Sequence, residues 1–303
     1  MSLGIRLCTA PGTWGIEPGD DPEHAPWQLV LDEVAEAGFD GIELGPLGYL
    51  PTDPVRLSAE LSSRGLKLSA GYVMEPFHAP AETSRILDAT EQICELLAKA
   101  GAKTLVVIGS LVPERSAAAG RPDAAPTLSG SPRSIFVRTV RAVVDRAADN
   151  GLIAAFHPHA GTYVEFEHEI DEMLSDTGPE LKLCVDTGHS LYAGIDATAL
   201  LDSYSDRIAH VHLKDLHVAA LQRAITDRLT FEEAVAAGVF CPLGDGDIDL
   251  APFLTKLQAI GHDGWATYEQ DRVAADYKSA RADAERSLAH LEALGVRAAT
   301  PSH

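Results

Sequence analysis

The chain has 303 residues, and its 45 Asp and Glu against 24 Lys and Arg give a formal net charge of −21 at pH 7. A surface this acidic repels phosphate backbones and anionic lipid headgroups, so nucleic acid and membranes are not expected as partners. With 46% hydrophobic and 23% charged residues, the composition is that of an ordinary globular protein with a sizeable core. Segment 1–11 lacks a basic stretch followed by a long apolar run, so no secretory signal is expected.

The predicted strands are short apolar runs that alternate with longer amphipathic stretches. Residues 105–108 read Leu-Val-Val-Ile, a continuous apolar run that is typical of parallel strands buried on both faces. We predict eight strands, at 5–9, 41–44, 67–72, 104–108, 152–157, 181–186, 208–214 and 265–269. Eight strand-then-helix units favour a closed (β/α)8 barrel, the TIM barrel, as a single domain over residues 1–303. A doubly wound open sheet is the alternative, but no strand is followed by Gly-x-Gly-x-x-Gly.

The predicted helices lie between these strands. Apolar residues recur at helical spacing in 27–37 and in 86–100, so each stretch has one apolar face. Glycines stand between helix and strand at four places, where a left-handed residue ends a helix: Gly38, Gly65, Gly101 and Gly151.

Two connections are longer than the rest. Segment 113–132 is rich in Pro, Ala and Gly and follows the fourth strand, so it is either a tolerated surface insertion or a lid over the site. Segment 216–250 follows the seventh strand and contains an amphipathic stretch at 231–237.

The four cysteines form no Cys-x-x-Cys pair, and two of them lie in strand-like runs: Cys8, Cys94, Cys184 and Cys241. This usage predicts buried, reduced thiols and a cytoplasmic protein, not a zinc cluster or a disulfide framework.

Polar residues end five of the predicted strands. Because side chains alternate along a strand, each of these residues shares a face with the residue two places before it, and all lie at the carboxyl ends, where barrel enzymes build their sites. The residues are Glu43, His157 with His159, Asp186, His212 with Lys214, and Glu269. Buried charges cost several kcal/mol unless they are paired or bind a metal. Carboxylate oxygens and imidazole nitrogens predict one divalent ion, Mn²⁺, Co²⁺, Zn²⁺ or Mg²⁺.

Three motifs carry a family resemblance. At Asp186-Thr187-Gly188-His189, at 210–215 (His-Val-His-Leu-Lys-Asp) and at Glu269, the chain resembles the sugar phosphate isomerase/epimerase superfamily of xylose isomerase-like TIM barrels. Within that superfamily it looks most like inosose dehydratases. The tracts that carry this closer likeness are 157–165 (His-Pro-His-Ala-Gly-Thr-Tyr-Val-Glu), 237–246 and 269–271 (Glu-Gln-Asp).

The resemblance implies a metal held by strands five to eight. Asp186, His212 and Glu269 match three ligand positions of the family. The fourth position is normally a Glu at the end of strand five, and here it reads His157; Glu165, farther into the loop, is the less favoured substitute. Without that Glu, a symmetric exchange of protons between two carboxylates is in doubt.

The resemblance also implies substrate contacts. His189 matches a substrate-contacting His of the family, and Glu43 matches the Glu that ends strand two. Beside them, Trp14 either stacks on a sugar ring or packs at the rim, and Arg272 either contacts a substrate oxygen or pairs with Asp271. His159 is a further candidate substrate contact.

The function we expect is removal of a proton beside the metal-polarised carbonyl of a polyhydroxy ketone or keto-inositol. Glu269 is the candidate base, Lys214 stabilises the enediolate, and His157 or His159 donates a proton. Return of the proton to carbon gives isomerisation or epimerisation, and its delivery to a β-hydroxyl gives dehydration. A metal-dependent hydrolase of the endonuclease IV type and a non-catalytic polyol-binding barrel are the alternatives. Homo-oligomers are common for this architecture.

Overall fold

The strands form one ring of parallel neighbours in the computed structural model, which describes residues 5–16 and 24–296. Their order around the sheet is β3-β2-β1-β11-β8-β7-β6-β5-β4. The bounds are β1 (Arg6–Thr9), β2 (Gly41–Ile42), β3 (Lys67–Leu68), β4 (Ala70–Glu75), β5 (Thr104–Gly109), β6 (Ile153–Phe156), β7 (Lys182–Asp186), β8 (Ile208–Leu213) and β11 (Trp265–Tyr268). A separate antiparallel pair joins β9 (Asp215–Leu216) to β10 (Phe240–Cys241).

The ring closes at Ser69, which separates the third strand of the barrel into two segments, β3 and β4. The Ser69 N–H donates to Ile42 O at 3.0 Å, and the Leu44 N–H donates to Ala70 O at 2.9 Å. The residues of and just after β2 therefore bond to both segments of this third strand, and β4 pairs with β5 on its other side. Nine strand segments thus make eight barrel strands, which confirms the predicted TIM barrel. The third barrel strand runs on to Glu75, beyond the predicted end at 72.

Helices surround the ring and cover its outer face. Their bounds are α1 (Trp27–Ala37), α2 (Pro54–Ser62), α3 (Thr83–Ala100), α4 (Pro113–Ser116), α5 (Gly130–Asp149), α6 (Glu167–Thr177), α7 (Thr187–Tyr192), α8 (Ala197–Ser203), α9 (Val218–Asp227), α10 (Phe231–Ala236), α11 (Leu250–Ala259) and α12 (Ala280–Ala293). The predicted stops hold: Gly38 and Gly101 follow α1 and α3 with φ of 99° and 88°. Within the described segments, no helix combines the length and apolarity needed to cross a bilayer.

The buried apolar side chains of the described residues form three clusters, one of which packs Tyr192, Leu216, Phe231 and Phe240 together. Most apolar side chains pack between the ring and the helices, whereas a small cluster fills the ring itself with Ala70, Val106, Ile108, Ala155 and Cys184. All four cysteines are buried and free, as the sequence predicts. Above the inner cluster the inward positions are His210, His212 and Thr267, so the apolar filling ends where the candidate site begins.

Segment 113–132 is fastened to the body of the barrel. Arg115 is completely buried and makes two hydrogen bonds to Glu169 of α6, at 2.7 and 2.8 Å. Its guanidinium also donates to Pro126 O at 3.0 Å. The Gly120 N–H donates to Glu165 at 2.6 Å. Arg115 and Gly120 therefore hold the segment against residues 165–169.

Candidate metal centre

Strand register places three predicted ligands side by side. Asp186 on β7 pairs in register with His212 on β8, and His212 pairs with Thr267 on β11. Glu269 follows Thr267 by two residues and so points to the same side. One ligand atom from each of Asp186, His212 and Glu269 lies within 4.8 Å of the others.

The orientation of His212 fits a bound cation. Its Nε2 lies 3.1 Å from Glu43 Oε1, and a carboxylate oxygen accepts only, so Nε2 carries the proton. Nδ1 is therefore the nitrogen left to face a cation; it lies 3.0 Å from Glu269 Oε2 and 3.8 Å from Asp186 Oδ2 and makes no hydrogen bond. A buried lone pair that faces two carboxylate oxygens is stabilised by a positive ion between them.

Electrostatics at the same point favour positive charge. Burial alone would lower the pKa of His212, but Cys184, Glu269 and Glu43 raise it well above its ordinary value, so without a metal ion a proton takes the place of the cation on Nδ1. Burial would raise the pKa of Glu43, yet His212 and His210 hold it well below its ordinary value. The carboxylates of the site are therefore ionised and can act as metal ligands.

Of the two candidates for the fourth ligand, His157 lies beside Asp186, whereas Glu165 bonds to backbone N–H groups. His157 Nε2 lies 3.3 Å from Asp186 Oδ2, and its Nδ1 has no hydrogen-bond partner. The Glu165 carboxylate instead accepts backbone N–H groups from Gly120 and Gly161, at 2.6 and 3.0 Å. Burial raises the pKa of Glu165 to about 7. Asp186 thus belongs to two groups of mutually close ligand atoms, one with His212 and Glu269 and one with His157 and His189.

Lys214 sits among the carboxylates. Its Nζ lies 2.6 Å from Glu269 Oε2, 3.0 Å from Asp186 Oδ2 and 3.4 Å from Asp271 Oδ1. Burial would lower the pKa of Lys214, but Asp186, Asp271 and Glu269 raise it well above its ordinary value. Burial likewise opposes ionisation of Glu269, yet Lys214 and His212 hold its pKa at about 2. The ammonium is therefore a fixed positive charge at the mouth.

Asp271 is a site residue that the strand-end argument missed. Burial raises its pKa to about 6, and its Oδ2 lies 3.5 Å from His189 Nε2. The signal was available, because alternation after β11 places residue 271 on the same side as Glu269. A cavity of about 60 Å³ opens among these groups, and its wall includes His157, His159, His212, Lys214, Glu269 and Asp271.

His189 and His159 lie together at the edge of the centre. The backbone N–H of His189 donates to Asp186 Oδ1 at 2.8 Å, so the Asp186 side chain caps the first turn of α7. The imidazole rings of His159 and His189 have centroids 3.8 Å apart. Burial lowers the pKa of both, to about 3 for His159 and well below the ordinary value for His189.

Three predicted substrate contacts have other partners in the structure. Trp14 is fully buried in the core, and its Nε1 donates to Glu33 at 2.6 Å, so packing is the role the structure gives it. Arg272 pairs with Asp283 of α12 at 2.8 Å instead of Asp271, because the chain turns toward that helix after β11. Glu43 lines the cavity, but its Oε1 is taken by His210, His212 and Thr267.

Known proteins resemble this chain over most of its length. The model of the family described as "Xylose isomerase-like TIM barrel" matches residues 31–294. The chain is 32% identical over 304 residues to an inosose dehydratase of Geobacillus kaustophilus (strain HTA426), covering 97% of this chain and 98% of that one. It is 31% identical over 273 residues to the rhizopine catabolism protein MocC of Rhizobium meliloti, covering 89% and 82%.

Solved structures show the same fold. The structure described as IOLI protein with a binding zinc atom aligns with a TM-score of 0.72 at 18% identity, covering 96% of this chain and 98% of that chain.

Proposed function

Because this chain belongs to the xylose isomerase-like TIM barrel family, we propose that it is a divalent-metal-dependent enzyme acting on a polyhydroxy ketone, with dehydration of a keto-inositol as its reaction. The observation that carries the proposal is the position of His212 Nδ1, which makes no hydrogen bond and faces carboxylate oxygens of both Asp186 and Glu269. The likeness to proteins named inosose dehydratase over nearly the whole length supports the choice of substrate.

The residues that would hold the ion are His157, Asp186, His212 and Glu269. When bound, a divalent ion polarises a ketone oxygen and so acidifies the neighbouring C–H group. His157 then uses a ring lone pair as a ligand, and a ligated nitrogen has no proton to give. The assignment as ligand therefore takes the proton-donor role away from His157.

Glu269 is the base that we assign. Its Oε2 accepts a hydrogen bond from Lys214 Nζ at 2.6 Å, which leaves Oε1 for the substrate. Oε1 lies next to Gly12, where an added Cβ would be 3.4 Å from this oxygen. Oε1 takes the proton from the carbon beside the carbonyl, and the Lys214 ammonium stabilises the enediolate that forms. The same proton then leaves with the β-hydroxyl as water, so protons and electrons balance without a second acid. Return of that proton to carbon is the epimerase outcome.

The test compares chelator-treated protein with protein reloaded with Mn²⁺, Co²⁺ or Zn²⁺. Each form is given 2-keto-myo-inositol or a ketohexose, and absorbance of a conjugated enone and NMR of epimers are followed. We expect metal-dependent enone formation from the keto-inositol, abolished in Asp186→Asn and kept in the surface variant Asp202→Asn. Epimer without enone would replace dehydration by epimerisation, and no turnover with metal bound would refute the enzymatic proposal.

The remaining expectations are proposals of the same kind. We propose that residues 1–303 form a single domain, that the protein works in the cytoplasm, and that it forms homo-oligomers. Cell fractionation tests the cytoplasmic location, and sedimentation tests the oligomeric state. The acidic charge of −21 supports small neutral substrates over nucleic acid.

A further inference from the structure

A thiol lies one step deeper in the barrel than the proposed metal centre. Cys184 is on β7, two residues before Asp186, so its side chain points to the same side of the strand. The register of β6 and β7 pairs Phe156 with Leu183, and continuing it by one residue places His157 beside Cys184. Cys184 is fully buried and belongs to the small apolar cluster inside the ring. The thiol therefore lies between the apolar filling of the barrel and its polar mouth.

Two imidazoles complete a group of metal-binding side chains around this thiol. One ligand atom from each of His157, Cys184 and His212 lies within 4.8 Å of the other two. All three residues are buried, with exposed fractions of 1%, 0% and 2%. Ligand atoms bound tetrahedrally at about 2.0–2.3 Å from an ion lie roughly 3.5 Å apart. Small side-chain movements therefore suffice to bring these three atoms to one ion.

Both imidazoles have coordinating capacity that the fold does not use. The Nδ1 atoms of His157 and His212 are buried and make no hydrogen bond to any residue that the structure describes. The other nitrogen of His212, Nε2, bonds to Glu43 at 3.1 Å, so Nδ1 is the nitrogen left for an ion. Buried polar groups are normally satisfied by a partner, and an ion ligated by these rings supplies the missing one.

The donor set selects a soft ion. A thiolate and two imidazoles suit thiophilic ions such as Cd²⁺ and Zn²⁺, whereas Mn²⁺ and Mg²⁺ prefer carboxylate oxygens. The group of Asp186, His212 and Glu269 has two carboxylates and one imidazole and so favours the hard ions. Burial raises the pKa of the free Cys184 thiol. A soft ion displaces the thiol proton to solvent as the metal–sulfur bond forms, with no change of oxidation state.

We propose that His157, Cys184 and His212 form a second metal site that takes soft ions. His212 belongs to this group and to the group with Glu269, and it has one nitrogen left for an ion, so the two sites exclude each other. A soft ion in the deeper site therefore competes with a hard ion in the upper one. The proposal concerns metal binding alone and does not depend on the reaction. Cysteine spacing could not indicate this site, because the imidazoles come from neighbouring strands.

The first test reads the metal–sulfur bond directly. Metal-free protein, kept reduced, is titrated with Cd²⁺, and the ultraviolet sulfur-to-metal charge-transfer band and the ¹¹³Cd chemical shift are recorded. We expect one equivalent of Cd²⁺ to give the band and a thiolate-type shift in wild type. Both should be lost in Cys184→Ser, which keeps the size of the side chain and removes the thiolate. Cys94→Ser, which changes a buried thiol of α3, is the matched control and should keep both.

Three results would overturn the proposal. Wild-type protein that binds Cd²⁺ without the band binds it through oxygen and nitrogen alone, and this result does not depend on how any variant folds. A band that survives in Cys184→Ser comes from another thiol. Cd²⁺ that does not bind at all leaves no deeper site, and Mn²⁺ binding measured in parallel shows whether the proposed function fails with it.

The second test separates the two sites by substitution. Cys184 belongs only to the deeper group, and Glu269 only to the upper one. By competition with a chromophoric chelator, we expect Cys184→Ser to lower Cd²⁺ affinity about 100-fold and to leave Mn²⁺ affinity unchanged, and Glu269→Gln to do the reverse. Cd²⁺ should also release Mn²⁺ from wild type, one ion for one ion, as followed by electron paramagnetic resonance. Equal losses of both ions in each variant, or both ions bound together, would contradict the proposal.

Discussion

Glu43, directly after β2, and His212, on β8, are in contact inside the barrel, with Glu43 Oε1 3.1 Å from His212 Nε2. The same oxygen accepts from Thr267 Oγ1 at 2.6 Å and lies 2.9 Å from His210 Nε2. A carboxylate that fixes the outer nitrogen of a metal-ligating His sets its tautomer and ring orientation. Glu43 thus orients the proposed ligand His212, and its hydrogen bonds to three neighbours compensate for the burial of its charge.

Glu43→Gln should weaken metal binding without removing a ligand. The amide can donate as well as accept, so the proton on His212 Nε2 is no longer enforced. We expect about 10- to 100-fold lower affinity for Zn²⁺ or Mn²⁺, measured by competition with a chromophoric chelator. Glu36→Gln, an exposed change on α1, is the control. Equal affinity in Glu43→Gln and wild type would contradict the orienting role.

Much of the fold, and the grouping of three candidate ligands, could be predicted because strand alternation is a local rule. Once a strand's phase is known, the side chain at its end is placed, and neighbouring parallel strands bring Asp186, His212 and Glu269 together. The helix stop at Gly38 follows equally from a local backbone requirement, its φ of 99°.

What the sequence could not supply is the set of partners that distant segments provide. Trp14 bonds to Glu33 because the segment after β1 lies against α1, and Arg272 bonds to Asp283 because the segment after β11 lies against α12. The backbone of Ala160 likewise reaches two imidazoles, since its carbonyl oxygen lies 2.8 Å from His159 Nδ1 and its N–H donates to His189 Nδ1. No periodicity in the chain encodes these contacts.

Lys214→Met should make the protein depend more strongly on metal for its stability. The Lys214 ammonium neutralises the same two oxygens, Asp186 Oδ2 and Glu269 Oε2, that a metal would use. Removing it leaves buried carboxylates uncompensated, which costs about 3–5 kcal/mol in the metal-free protein. We expect a lower Tm without metal and a larger rise in Tm on adding Zn²⁺ than in wild type.

Lys256→Met is the control for Lys214→Met, because Lys256 pairs with Asp202 at the surface and such pairs contribute about 0–1 kcal/mol. Calorimetry with and without Zn²⁺ makes the comparison. A metal-induced shift in Lys214→Met that is no larger than in wild type would show that the ammonium and the ion do not share these oxygens.

Arg115→Met should release segment 113–132. The guanidinium is fully buried and bonds twice to Glu169, so its removal leaves a buried carboxylate and costs about 3–5 kcal/mol. Arg133→Met is the matched control, since its partners Glu172 and Asp176 are at least 40% exposed. Urea unfolding and hydrogen exchange over 113–132 measure both effects. If Arg115→Met loses no more stability than Arg133→Met, the buried pair is not the anchor.

Glu165 makes stability fall as pH rises. Burial raises its pKa in the folded protein from 4.5 to about 7, so between these two values the folded state holds a proton that the unfolded state has lost. Stability therefore decreases with increasing pH across this window, by up to roughly 3 kcal/mol in total. Below pH 4.5 both states are protonated, and the group has no effect on the pH dependence.

Glu165→Gln removes this titration. The amide shifts stability by a constant amount at every pH, because one backbone N–H from Gly120 or Gly161 then faces an NH₂ group. The informative quantity is therefore the difference between variant and wild type, measured by urea unfolding from pH 5 to pH 8. We expect the variant to gain on wild type by roughly 3 kcal/mol over this range. A difference that stays constant, or that falls with rising pH, would mean that Glu165 is already ionised at pH 5 and that Arg115, 3.6 Å away, outweighs its burial.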